Sequence, residues 1–157
     1  MSYSIDRILY ATELEPDSPR VFRHAVGIAR QFNAKLHILT VSQTKEQPLI
    51  TDFLTHEDFD RIHTDAAEAL RTNLESRIDA FCASNPDLDA RGVIAEVRTI
   101  EGSASREILA MANRIRAYLI VLGSHGHSAL GEMLVGSVAH KVTVESHVPV
   151  LLVPINH

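Results

Sequence analysis

Five short apolar runs punctuate the chain: IDRILYA (5–11), KLHILTV (35–41), RGVIAEVRT (91–99), YLIVLG (118–123) and VPVLLVP (148–154). Between them, apolar residues recur every three or four positions, the spacing of amphipathic helices. Val21, Ala25, Ile28, Ala29 and Phe32 follow the helix start Ser18–Pro19, with Arg20, Arg23, His24 and Arg30 between them and Asn33 placed to close the helix in a left-handed conformation. Ala66, Leu70, Leu74, Ile78 and Phe81 mark a long helix that ends before SNPD, and residues 42–57, broken by Pro48, read as a surface loop. Ile108, Leu109, Ala112 and Ile115 mark a further helix starting near Ser103 or Ser105, and Gly136 to Ser146 a last one. Strand and helix thus alternate along the whole chain, which predicts an open parallel sheet with helices on both faces.

The strands differ in character. YLIVLG is apolar throughout, as expected of a central strand covered on both faces. RGVIAEVRT alternates, with Val93, Ala95 and Val97 expected on one face and Glu96 and Arg98 on the other, so it is expected at a sheet edge. In such sheets ligands sit outside the carboxyl ends of the strands, where the strand order reverses. That rule singles out the loops after Ala11 and after Leu122.

At 157 residues with no linker, repeat or low-complexity stretch, the chain is expected to form one domain, residues 1–157. The net charge of −5 and scattered basic residues argue against a nucleic-acid partner. No apolar stretch reaches the ~20 residues of a membrane span, and MSYSIDRILY lacks the features of a secretory signal, so a cytoplasmic location is expected. The single cysteine, Cys82, falls in the apolar rhythm of the long helix and reads as a small core residue.

Four of the seven glycines crowd into VLGSHGHSALGEMLVGSV, after the fourth strand. Gly136–Ser137 opens a helix whose first amides lack partners within the helix, a place where phosphate accepts those hydrogens and meets the positive end of the helix dipole. GEMLVGSV has the glycine spacing of a Walker A loop, but Ser137 and Val138 stand where Lys and Ser or Thr are required. No GxGxxG follows the first strand, and GSHGH lacks the order of a nucleophile elbow. His125 and His127 form an HxH pair without a clear third ligand, and His140 and His147 are expected on a solvated helix face, so no metal site is assigned. Lys141 is read as solvated, and Ser137 as a helix cap, a role compatible with phosphate binding.

The spacing Gly123-x2-Gly126-x9-Gly136-Ser137 resembles the nucleotide-binding signature of the universal stress protein family, G-x2-G-x9-G-[ST]. The similarity runs through RILYATE, AKLHILTV, LIVLGSHG and VPVLLVP in order. It implies a five-stranded parallel sheet of order 3-2-1-4-5, of the adenine nucleotide alpha hydrolase-like kind, and an ATP or other adenine nucleotide site, with magnesium. Carried over by position, Gly126, Gly136, Ser137 and Val138 match the phosphate-binding part, and Gly123 shapes the turn. Ala11, Thr12 and Glu13 match the end of the first strand, with Glu13 where the family commonly has Asp. Val41 and Leu122 match positions beside the adenine, and His127 is a further candidate phosphate contact. Tyr118 stands where the family commonly has an acidic residue, remote from the ligand end. The family is usually dimeric, and the last strand, with Val148, Val150 and Leu152, is expected to pair with its twin.

The expected function is therefore that of an ATP-binding stress-response regulator. The alternative is a nucleotide-free dimeric adaptor of the same fold, motivated by Glu13 and the shortage of nearby cations. No catalytic residue is assigned: without a positioned general base or arginine finger, any hydrolysis is expected to be slow.

Overall fold

The computed structural model describes residues 3–12, 18–42, 56–124 and 135–155. Strands β1 (Arg7–Ala11), β2 (Lys35–Ser42), β3 (Ile94–Glu101), β4 (Leu119–Ser124) and β5 (Val150–Pro154) form one parallel sheet of order β3-β2-β1-β4-β5. The order expected from the family resemblance is therefore the one observed. Helices α1 (Ser18–Gln31) and α2 (His56–Ser84) and the short α3 (Ala90–Val93) serve one face, and α4 (Ala104–Ile115) and α5 (Ser137–Glu145) the other.

Alternation along each strand divides the core into two. Ile8 and Tyr10 of β1 and Leu36 and Ile38 of β2 pack with Val21, Phe22, Ala25 and Val26 of α1 and Leu74, Ile78 and Phe81 of α2. Leu9, Ala11 and Leu39 turn the other way, onto Ile108, Met111 and Ala112 of α4 and Ala139 and Val142 of α5. Each fully buried Leu or Ile contributes roughly 1.5–3 kcal/mol by leaving water, so both faces hold the central strands in register. The run read as a covered central strand is accordingly buried at Ile120, Val121 and Leu122.

Asn33 closes α1 with φ 53°, as its left-handed tolerance predicts. Phe32 is not in the core as its spacing suggests: it lies beyond the last residue of α1 and is 52% exposed. The third strand also departs from its expected pattern. Asp89 takes φ 46°, and the next four residues coil into α3, so β3 starts at Ile94 rather than Arg91. Arg91 joins α3 to α2 through Asp79 and Glu75, and the hydrogen bond to Asp79 raises the guanidinium pKa further. The ladder then slips, pairing Leu36 with Ile94 but His37 with Glu96. This bulge leaves Ala95 exposed while Val97 packs beneath α1 and α2, so Val93, Ala95 and Val97 do not share one face. Glu96 instead accepts from His37 Nδ1 at 2.9 Å and lies 3.4 Å from Arg98 Nε, on an edge strand as expected.

At the amino end of the sheet, Tyr118 donates its backbone N–H to the Arg7 carbonyl and lies beneath the Arg7 guanidinium, 5.3 Å from the ring centroid. Its departure from the family pattern is thus a packing matter, far from the carboxyl ends of the strands. Among the described residues no helix is long and apolar enough to cross a membrane.

Candidate functional site

The strand order reverses between β1 and β4, because β2 and β3 build outward on one side of β1 while β4 and β5 build on the other. Crossovers on opposite faces cannot fill the space above this junction, which leaves a crevice at the carboxyl ends. An open cleft lies there.

Ala11 and Thr12 form the β1 wall of the cleft, Val41 the β2 wall, Leu122 and Gly123 the β4 wall, and Val138 enters from α5. Six residues chosen from the sequence therefore meet in one cavity. Gly136 and Ser137 immediately precede Val138 at the start of α5. Glu13, Gly126 and His127 lie outside the described residues.

Three of these positions differ in detail from their expected roles. Gly123 does not belong to a turn; it lies within β4, paired with Val153 of β5. A Cβ there would stand 2.7 Å from Ile155 Cδ1 and 3.1 Å from Val21 Cγ2, so the glycine lets the core close behind the cleft. Ser137 is not the helix cap: Gly136 holds the cap position, its carbonyl accepting from His140 N at 2.8 Å, and Ser137 is the first helical residue. His147 falls beyond the end of α5, so it does not share a helix face with His140.

Among the described residues no side chain caps the start of α5, and no acidic residue stands in its first turn. The amides of Ser137, Val138 and Ala139 precede the first helical hydrogen bond, so they carry the partial positive charge of the helix end. Gly136 has φ −59° and ψ 153°, torsions open to any residue, so backbone strain does not call for glycine there.

The sequence did not point to Ala104 and Ile108, which supply the α4 wall opposite α5. Both fall at the helical spacing that marks core, and both are buried, at 6% and 4% exposure. The available signal was positional: α4 starts at the carboxyl end of β3, and a small residue in its first turn leaves space toward β1. The Thr12 amide donates to the Leu39 carbonyl at 2.9 Å, which extends the β1–β2 ladder to the rim of the cleft.

The profile of the family described as Universal stress protein family matches residues 4–154. Universal stress protein YxiE of Bacillus subtilis is 33% identical over 154 residues, spanning 94% of this chain and 98% of the relative. The solved structure of protein MJ0577, whose sequence is described as a universal stress protein of Methanocaldococcus jannaschii, superposes with a TM-score of 0.71 at 20% identity, covering 99% of each chain. A universal stress protein crystallised in complex with cAMP superposes with a TM-score of 0.59 at 22% identity, covering 97% of this chain and 98% of that one.

Proposed function

Since this chain belongs to the universal stress protein family, we propose that it is a cytoplasmic, adenine-nucleotide-binding regulator whose ligand occupies the cleft above β1 and β4. The observation that carries the reading is the start of α5, with no acid in its first turn and no side-chain cap among the described residues, at the edge of the cleft above β1 and β4. In this reading the phosphates accept from the amides of Ser137, Val138 and Ala139, and the base lies against Val41 and Leu122, whose apolar surfaces suit a flat ring. Gly136 keeps the approach open. Glu13, Gly126 and His127 enter the reading from the sequence alone, and magnesium accompanies a triphosphate. The complex of a relative with cAMP supports adenine as the base.

The protein acts by binding. Nucleotide occupancy acts on the glycine segment between β4 and α5 and through β4 reaches β5, which pairs with it. β5 is a sheet edge, with Val150 and Leu152 half-buried and Val144 of α5 69% exposed nearby, and it is where a second copy of the chain docks in this reading. Titration calorimetry of nucleotide-stripped protein with ATP and magnesium tests the proposal: saturable binding lost in Gly136→Val supports it, and no heat of binding overturns it. Light scattering of the same samples tests the dimer separately.

A further inference from the structure

β3 is one edge of the sheet: β2 pairs with one side of it, and among the described residues no strand lies along the other. No residue of β3 is fully buried. Its ladder with β2 decides which backbone groups look outward, because in a parallel pair alternate residues send both N–H and C=O to the same neighbour. The Gly102 amide donates to the Ser42 carbonyl of β2 at 2.9 Å, and the register runs unbroken from Glu96 to Glu101. The backbone groups of Glu96, Arg98 and Ile100 therefore point at β2, and those of Val97 and Thr99 point away from it.

The side chains add a charge pattern to this edge. Glu96 and Arg98 share one face of β3, Arg98 Nε lying 3.4 Å from Glu96 Oε2, and their side chains are 31% and 45% exposed. An antiparallel copy of β3 related by a two-fold axis at Val97 would set Glu96 of each strand directly opposite Arg98 of the other. Val97 would then form the hydrogen-bonded pair on the axis, which makes the Glu96–Arg98 pairs the close, non-hydrogen-bonded kind. Axes at Glu96 or Arg98 oppose like charges, and an axis at Thr99 leaves Arg98 opposite Ile100, so charge selects one register. Arg98 need not release its own Glu96 to serve there, because a guanidinium carries five donors and the contact within the strand uses Nε.

We propose that the β3 edge is a docking surface for β3 of a second copy of this chain, antiparallel and centred on Val97, with two Glu96–Arg98 pairs across the axis. The pairing is weak and concentration-dependent, since it joins two short, solvated edges. It lies at the far edge of the sheet from β5, so it neither competes with docking there nor depends on a nucleotide. Occupation of both edges at once would make an open-ended row of copies, because two separate two-fold contacts do not close.

Residue-resolved hydrogen exchange of the isotope-labelled full chain, dilute and at about 1 mM, tests this. Concentration is expected to slow exchange at the Val97 and Thr99 amides and to leave those of Arg98 and Ile100, already bonded to β2, unchanged. Association through β5 would not produce that alternation. Arg98→Glu and Glu96→Arg each gather four like charges about the axis, and each alone is expected to weaken the pairing about tenfold. Mixed in equal amounts, the two variants set acidic strand against basic strand and are expected to recover the protection. Both have lost the ion pair within their own strand, so recovery reports contact between chains, and thermal melting of each variant checks that it is folded. Val97 and Thr99 amides that exchange alike at both concentrations, protection unchanged in Arg98→Glu, or a mixture that exchanges like its separate components overturns the proposal.

Discussion

Two helices on the same face start behind a glycine–serine pair at the carboxyl end of the sheet, Gly102–Ser103 before α4 and Gly136–Ser137 before α5. The dipeptides are identical, but they are offset by one position relative to their helices. Ser103 is the cap residue of α4, its carbonyl accepting from Glu107 N at 2.9 Å, whereas Gly136 is the cap of α5. Gly102 turns the chain with φ 152° while its amide donates to the Ser42 carbonyl; Gly136 has an ordinary extended backbone. The start of α4 also carries its own anion, Glu107, whose side chain lies 3.2 Å from where a Gly102 Cβ would be. The first turn of α5 carries none among the described residues. A glycine–serine helix opening is thus a turn in one place and, in the proposed function, an anion site in the other.

The largest expected effect breaks the α5 side of that contrast. Gly136→Val fits the observed torsions but puts a branched side chain in front of the amides. Losing two charge-assisted hydrogen bonds to phosphate is expected to weaken ATP by about a hundredfold. Calorimetry reads the affinity and thermal melting the fold; a melting temperature near that of the parent together with lost binding is the expected pair. An unchanged Kd would remove the start of α5 from the binding site.

Gly102→Ala is the mirror experiment. Its backbone lies where L side chains are strained, and the new Cβ would press on Glu107, so stability is expected to fall by about 1–3 kcal/mol. ATP affinity of the folded protein is expected to stay within error. Denaturant unfolding alongside calorimetry separates the two, and equal damage to binding by both glycine substitutions would collapse the distinction.

His140 occupies the position in α5 that Glu107 occupies in α4, the residue whose amide closes the first helical bond. His140→Glu gives α5 the anion it lacks. The helix is expected to gain about 0.3–1 kcal/mol from its dipole, while ATP weakens several-fold as a second negative charge competes for the same end. The opposite signs are the test: a mutation that merely damaged the fold would lower both.

Much of this was legible in the sequence because the signals are local and repeated. The five apolar runs and the helical spacings between them reflect burial on two faces, and the strand order followed from the family signature rather than from any one strand. Ala11, Thr12, Val41, Leu122 and Val138, picked out by position through the family resemblance, converge on one cleft. The misreadings have physical causes. The turn assigned to Gly123 is in fact a packing demand, set by Ile155 and Val21 from elsewhere in the chain. The bulge at Ala95 depends on how β3 meets β2, which alternation within one strand cannot report. Ala104 and Ile108 were hidden because a cleft wall and a core helix face share the same periodicity.

The smallest expected effect lies at α4. Glu107→Gln keeps the side chain's size and removes its charge, so the interaction with the helix dipole is lost while packing against Gly102 is retained. Stability is expected to fall by about 0.3–1 kcal/mol, less in high salt because screening already weakens the contact. ATP affinity is expected to be unchanged, since the phosphate site assigned to α5 does not involve α4's amides. Unfolding curves at low and high ionic strength check the first expectation, and calorimetry the second. If Glu107→Gln instead strengthened ATP binding, the uncovered start of α4 would be competing for phosphate, and the two glycine–serine helix openings would differ in occupancy rather than in kind.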